Sequence, residues 1–121
     1  MFSETKAFNG FAVGDIPAAK QFYGDTLGLK VSESNGILTL HLAGGGETII
    51  YPKPDHVPAT FTILNFPVTD IDDAVRQLTE HGITLERFDG VDDQGVFRLG
   101  GPLIAWFRDP AGNILSVIQR S

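Results

Sequence analysis

Cysteine is absent from this 121-residue chain. Disulfides, thiolate metal sites and cysteine nucleophiles are therefore excluded. No apolar run approaches the ~18–20 residues that a membrane span requires. The opening residues, Met1-Phe2-Ser3-Glu4-Thr5-Lys6, lack the basic start and apolar stretch of a secretory signal. The expected setting is cytoplasmic, with no membrane partner. Cations are scarce: 9 Lys and Arg stand against 15 Asp and Glu, a net charge of −6. Nucleic acid is not an expected partner, because phosphate neutralisation needs clustered Lys and Arg. The acidic balance serves solubility and also tolerates a cationic small molecule. Gly44-Gly45-Gly46 is too short and wrongly placed for a phosphate-cradling loop.

What the chain does have is a globular composition, with 42% hydrophobic and 20% charged residues. It also repeats itself. Phe11-Ala12-Val13-Gly14-Asp15-Ile16-Pro17-Ala18-Ala19 aligns with Phe66-Pro67-Val68-Thr69-Asp70-Ile71-Asp72-Asp73-Ala74, 55 residues later. A helix and a glycine follow in each copy, at Gly28 and Gly82. Each copy closes on a glycine-led strand, Gly46–Tyr51 and Gly112–Val117. Internal repeats govern the reading of a fold.

Each copy reads as strand, helix and three shorter strands. Phe8–Val13 and Thr60–Val68 are the opening strands. Asp15 and Asp70 are the right type for N-caps, since a carboxylate accepts from orphan backbone N–H groups. Pro17 is tolerated in a first helical turn, and Gly28 and Gly82 suit left-handed caps. In the first copy the shorter strands are expected at Leu29–Ser34, Ile37–Leu42 and Thr48–Tyr51, with Asn35-Gly36 a hairpin turn. In the second they are expected at Thr84–Phe88, Gly95–Arg98 with Leu103–Phe107, and Ile114–Gln119. Asp109-Pro110-Ala111-Gly112-Asn113 is turn chemistry before the last strand. The fold class is α+β: two tandem βαβββ modules in a curved mixed sheet, helices on the outer face, an open cleft on the other. One domain, 1–121, would comprise module 1 (about 6–53), a linker (54–59) and module 2 (about 60–121).

The tandem βαβββ plan resembles the glyoxalase, bleomycin-resistance and extradiol-dioxygenase superfamily, the vicinal oxygen chelate proteins. The resemblance is carried by Val13-Gly14-Asp15 through Phe22-Tyr23 and Leu27-Gly28-Leu29, by Val68–Asp72 to Gly82, and by Phe107-Arg108-Asp109-Pro110-Ala111-Gly112-Asn113. It implies a homodimer. It also implies metal ligands at four strand positions, which here read Phe8, Ile50, Ile63 and Ser116. A divalent metal needs oxygen or nitrogen donors. Three of these side chains have none and the fourth is a neutral hydroxyl, so no metal and no cofactor is expected. Glu47, at an odd offset from Ile50, is expected to turn away.

The remaining cleft is read by strand parity. Phe8, Gly10 and Ala12 should face it, with Ile63, Asn65 and Pro67, Thr48 and Ile50, and Ile114, Ser116 and Ile118. His41 and Thr39 should face it while Leu38, Leu40 and Leu42 enter the core. Asn65 is either a ligand contact or a satisfied buried amide. His41 is either structural or else a general base or a ligand hydrogen-bond partner, and is the one weak catalytic candidate. Trp106 is either a stacking platform for an aromatic or cationic ligand or a core or dimer residue. His56 should be exposed in the linker, and His81 should serve the end of its helix. No Ser-His-Asp arrangement is expected. The pattern points to a metal-free small-molecule-binding protein, in antibiotic or metabolite sequestration. The alternatives are a glyoxalase-like lyase or dioxygenase-type enzyme acting on a small carbonyl or aromatic compound, with His41 and Asn65 in acid–base and oxyanion roles in its metal-free form, or an accessory subunit with a vestigial cleft.

Overall fold

The structure is a computed structural model, and it describes residues 1–120. The chain divides into two compact units, Met1–Val57 and Pro58–Ser121. Both are mixed α and β. Among the described residues, no helix is long and apolar enough to cross a membrane.

In the first unit, β1 (Asn9–Val13) leads to α1 (Ile16–Lys20), which continues as a π-helical stretch over Gln21–Thr26. The Asp15 side chain accepts from Ala18 N at 3.0 Å and caps α1, with Pro17 in its first turn. The wider turn is marked by Leu27 N donating to Phe22 O at 2.9 Å. Tyr23 within it is fully buried, its ring 5.7 Å from Phe11 and edge-on to Phe22 at 5.1 Å. Three antiparallel-linked strands follow: β2 (Lys30–Ser34), β3 (Ile37–His41) and β4 (Glu47–Pro52). Asn35 and Gly36 both have positive φ, 54° and 77°, so a two-residue primed turn joins β2 to β3. β4 also pairs parallel with β1, giving the order β1-β4-β3-β2.

Parity and register assign the two faces of this sheet. Phe11 lies opposite Ile50, and Ile50 opposite Leu38. Phe11, Val13, Leu38, Leu40, Thr48 and Ile50 are all buried, and Phe11 meets Tyr23. That is the helix-side face. Gly10, Ile49, Tyr51, Thr39, His41, Glu47 and Ser32 alternate with it and occupy the distal face.

In the second unit, β5 (Thr62–Pro67) precedes α2 (Ile71–Glu80), capped by Asp70, whose carboxylate accepts from Asp73 N at 3.1 Å. β6 (Leu103–Arg108) and β7 (Ile114–Gln119) complete a three-stranded sheet, β5-β7-β6, with β5 parallel to β7. α2 packs on β6 and β7, burying Ile71, Val75 and Leu78. Gln119 Oε1 accepts from Ile71 N at 2.8 Å, which places the odd residues of β7 on the helix side. Ser116 and Ile118 therefore point to the distal face.

The expected strands at Thr84–Phe88 and Gly95–Arg98 do not form ladders. Glu86 N donates to Trp106 O, and Phe97 makes only isolated bridges to Val91 and Ile104. Side chains hold this segment instead. The Asp92 carboxylate accepts from the N–H groups of Gln94 and Val96 and from Arg98 Nε, all at 2.8–2.9 Å. Arg98 also reaches Asp72 on α2 at 2.5 Å. The Val96 N–H foremost, then Arg98, hold the Asp92 carboxyl below the usual aspartate range. Gly95 adopts φ +89°, and a Cβ there would stand 2.8 Å from Leu85 Cδ1. Glycine is required at that bend.

Candidate functional site

The distal face of the second sheet brings three of the expected residues together. Ser116 lies opposite both Asn65 on β5 and Trp106 on β6. Its hydroxyl donates to Asn65 Oδ1, and the side chain is fully buried. Trp106 Nε1 donates to Thr62 Oγ1 at 3.1 Å. The Trp106 ring is flanked by Phe88 at 5.6 Å and Phe97 at 6.1 Å, and the Arg108 guanidinium lies 5.9 Å above Phe88. Asn65 is exposed, and its Nδ2 makes no hydrogen bond within the described residues. The result is an aromatic surface with one outward amide donor.

Thr62 is absent from the sequence reading, and a register shift between Thr62 and Leu64 explains why. The bulge falls at the half-buried Ile63 and breaks alternation, so Thr62 and Asn65, three positions apart, serve one face. No local sequence signal marks that bulge.

In the first unit, Phe8 precedes β1 and is 63% exposed. Ile50 is corrected: it is fully buried on the helix-side face, opposite Phe11 and Leu38. Thr48 shares that face, bonded to Asn9 Oδ1 at 2.6 Å. The distal residue at this level is Ile49, which lies opposite Gly10 just as Ser116 lies opposite Asn65. A Cβ at Gly10 would stand 2.7 Å from Ile49 Cγ1, so only glycine fits beneath that side chain. The slip of one residue exchanges the faces of the whole strand.

Glu47 is corrected with it. It stands on the distal face, with Oε2 3.4 Å from His41 Nδ1. The other His41 nitrogen, Nε2, is 2.8 Å from Ser32 Oγ. A hydroxyl–imidazole–carboxylate chain thus crosses β2, β3 and β4, although none was expected from the sequence. Ser32 and His41 are nine positions apart, and only the hairpin register brings them together. His56 is half-buried rather than exposed, and its buried Nε2 has no hydrogen-bond partner among the described residues. His81 caps α2, with Nδ1 donating to Gln77 O at 2.7 Å.

A family model for the glyoxalase/bleomycin resistance protein/dioxygenase superfamily matches residues 7–117. The chain belongs to that superfamily. The structure of a glyoxalase family protein from Enterococcus faecalis is 27% identical, with a TM-score of 0.69, covering 97% of this chain and 98% of that one. An antibiotic-binding protein from Streptomyces sp. CB03234 is 21% identical with a TM-score of 0.70, covering 98% of both chains. A lactoylglutathione lyase from Agrobacterium tumefaciens is 18% identical with a TM-score of 0.68, covering 97% of this chain and 95% of that one. These last two likenesses show the shared fold. No curated protein matches the chain significantly.

The superfamily resemblance implies a metal, and the residues here do not fit one. Phe8, Ile63 and Ile49, which takes the place assigned to Ile50, carry no donor atom. The Ser116 hydroxyl is engaged by Asn65. Among the described residues, no group of three or more His, Cys, Asp or Glu side chains is arranged to hold a cation.

The late superfamily motif is structural in this chain. Asp109, buried, accepts from Ala111 N and Asn113 N at 2.9 Å through Oδ1 and from Asn113 Nδ2 at 3.0 Å through Oδ2. Arg108 joins Glu86 at 2.7 Å and Gly112 O at 3.0 Å. These bonds fix the turn that aims β7, and so the position of Ser116.

Proposed function

We propose that this superfamily member is a metal-free small-molecule-binding protein that sequesters an aromatic organic ligand, an antibiotic or a metabolite. The ligand lies against Trp106, Phe88 and Phe97, and an acceptor on it takes the free Asn65 amide N–H. The observation that carries this reading is the outward Asn65 donor beside an aromatic trio. Ligand sites commonly join an apolar wall to a few placed polar groups. Ser116 and Thr62 hold Asn65 and Trp106 in place. The acidic net charge favours a cationic ligand. The protein acts in the cytoplasm as a homodimer.

Trp106 is the only tryptophan, so its fluorescence reports on this face alone. Titration with a panel of aromatic compounds, cationic and neutral, should give saturable quenching for at least one class. Trp106→Leu should weaken binding of that compound by about tenfold or more in calorimetry, in line with the loss of an aromatic contact. Absence of saturable binding across the panel overturns the reading. Stoichiometric metal that survives dialysis overturns its metal-free part, and a monomer in sedimentation overturns the dimer.

A further inference from the structure

The distal face of the first sheet carries chemistry that ligand binding on the second does not use. Ser32, His41 and Glu47 lie on three adjacent strands, side by side on one face. His41 Nε2 meets Ser32 Oγ at 2.8 Å, and His41 Nδ1 faces Glu47 Oε2 at 3.4 Å. This is the order of roles in acyl-transfer triads: hydroxyl, imidazole, carboxylate. The carboxylate favours the tautomer with its proton on Nδ1. Nε2 is then left with a lone pair, and the Ser32 hydroxyl donates to it. All three side chains are reachable by solvent; that of His41 is 34% exposed.

We infer that Ser32 is a nucleophile for activated acyl compounds, and that this face hydrolyses aryl esters. Ser32 Oγ bonds to the acyl carbon while its proton passes to His41 Nε2. The carbon–oxygen bond to the phenol breaks, and the departing oxygen takes that proton. Water then adds to the acyl carbon, giving a proton to Nε2. The bond to Ser32 Oγ breaks, the proton returns to the serine, and a carboxylic acid leaves. Glu47 is a positioning residue: it orients the imidazole and steadies it when charged.

The setting also limits the reaction. The ladders on both sides of β3 occupy that strand's backbone N–H groups, and those left unpaired on the edge strand β2 point outward along the sheet margin. The developing oxyanion meets side chains instead, the Thr39 hydroxyl opposite Ser32 and the Lys30 ammonium opposite His41. Preorganised donors supply much of the rate in acyl transfer. Substrates are accordingly restricted to esters with good leaving groups.

The test uses the full chain with a fluorophosphonate probe and with p-nitrophenyl acetate. Peptide mass spectrometry should place the phosphonyl adduct on Ser32, and Ser32→Ala should abolish it. His41→Asn should slow labelling at least about tenfold, as loss of a general base does. Glu47→Gln should lower kcat on p-nitrophenyl acetate while leaving KM unchanged. An adduct absent from Ser32, or formed equally fast in His41→Asn, overturns the inference.

Discussion

The turn entering β4 and the turn entering β7 share one backbone pattern and differ in everything else. Leu42 N donates to Gly46 O and Gly45 N to Leu42 O; Asp109 N donates to Asn113 O and Gly112 N to Asp109 O. Gly45 and Gly112 adopt nearly the same φ, 91° and 88°. Gly45 is therefore the counterpart of Gly112, and Ile49 that of Ser116. In the first turn only backbone holds the shape. In the second, a buried aspartate gathers three donors. Both turns rest on a left-handed glycine, and the second adds side-chain hydrogen bonds that the first lacks.

The two cores set the largest scale of that comparison. Tyr23→Ala in the first half and Phe107→Ala in the second should each cost about 3–5 kcal/mol in urea unfolding, because both rings are fully buried. Asp109→Ala comes next. It strands buried donors and should cost about 2–3 kcal/mol, with no equivalent in the first turn. Gly45→Ala should cost about 1–2 kcal/mol from left-handed strain. Gly112→Ala should cost more, since its Cβ would also stand 3.2 Å from Pro58 Cγ. Gly46→Ala is the control: its φ is not left-handed and space is open, so a change within about 0.5 kcal/mol is expected. A larger loss at Gly46 than at Gly45 would break the alignment of the two turns.

The smallest effect concerns acid. Asp92 and Asp73 have carboxyl groups held below their ordinary value, Asp92 chiefly by the Val96 N–H and Asp73 chiefly by Arg76. A depressed carboxylate stabilises fully above its unfolded pKa and loses that contribution as pH falls through the folded value. Thermal melts should therefore decline below about pH 4, and Asp92→Asn should flatten part of that decline. An unchanged acid limb in Asp92→Asn would remove the Asp92 contribution.

Much of this was legible in the sequence. The repeat, both aspartate caps, the Asn35-Gly36 hairpin and β7 depend on local chemistry, and each stands where the residues put it. What failed depended on register or distance. Gly44 and Gly45 both take positive φ, so three consecutive glycines hid which one matches Gly112, and that slip placed Ile50 on the wrong face and Glu47 with it. The bulge at Ile63 hid Thr62. The segment from Thr84 to Arg98 has strand-like composition, yet Asp92 gathers Val96 and Arg98 into a loop, and Arg98 ties that loop to Asp72 on α2. The Ser32–His41–Glu47 row needs two strand pairings before it exists at all.

β2 is the outermost strand of its sheet, and its far side has no strand beside it within that ladder. Such a margin can recruit a strand from another molecule and start aggregation. Here it carries Lys30 and Glu33, with Lys20 bonded to Glu33 at 3.1 Å. An incoming strand would have to strip water from these charges. The strand offering Ser32 to solvent is thus protected against self-association by its own neighbours, which lets a hydroxyl stand at the margin of a sheet in a crowded solution.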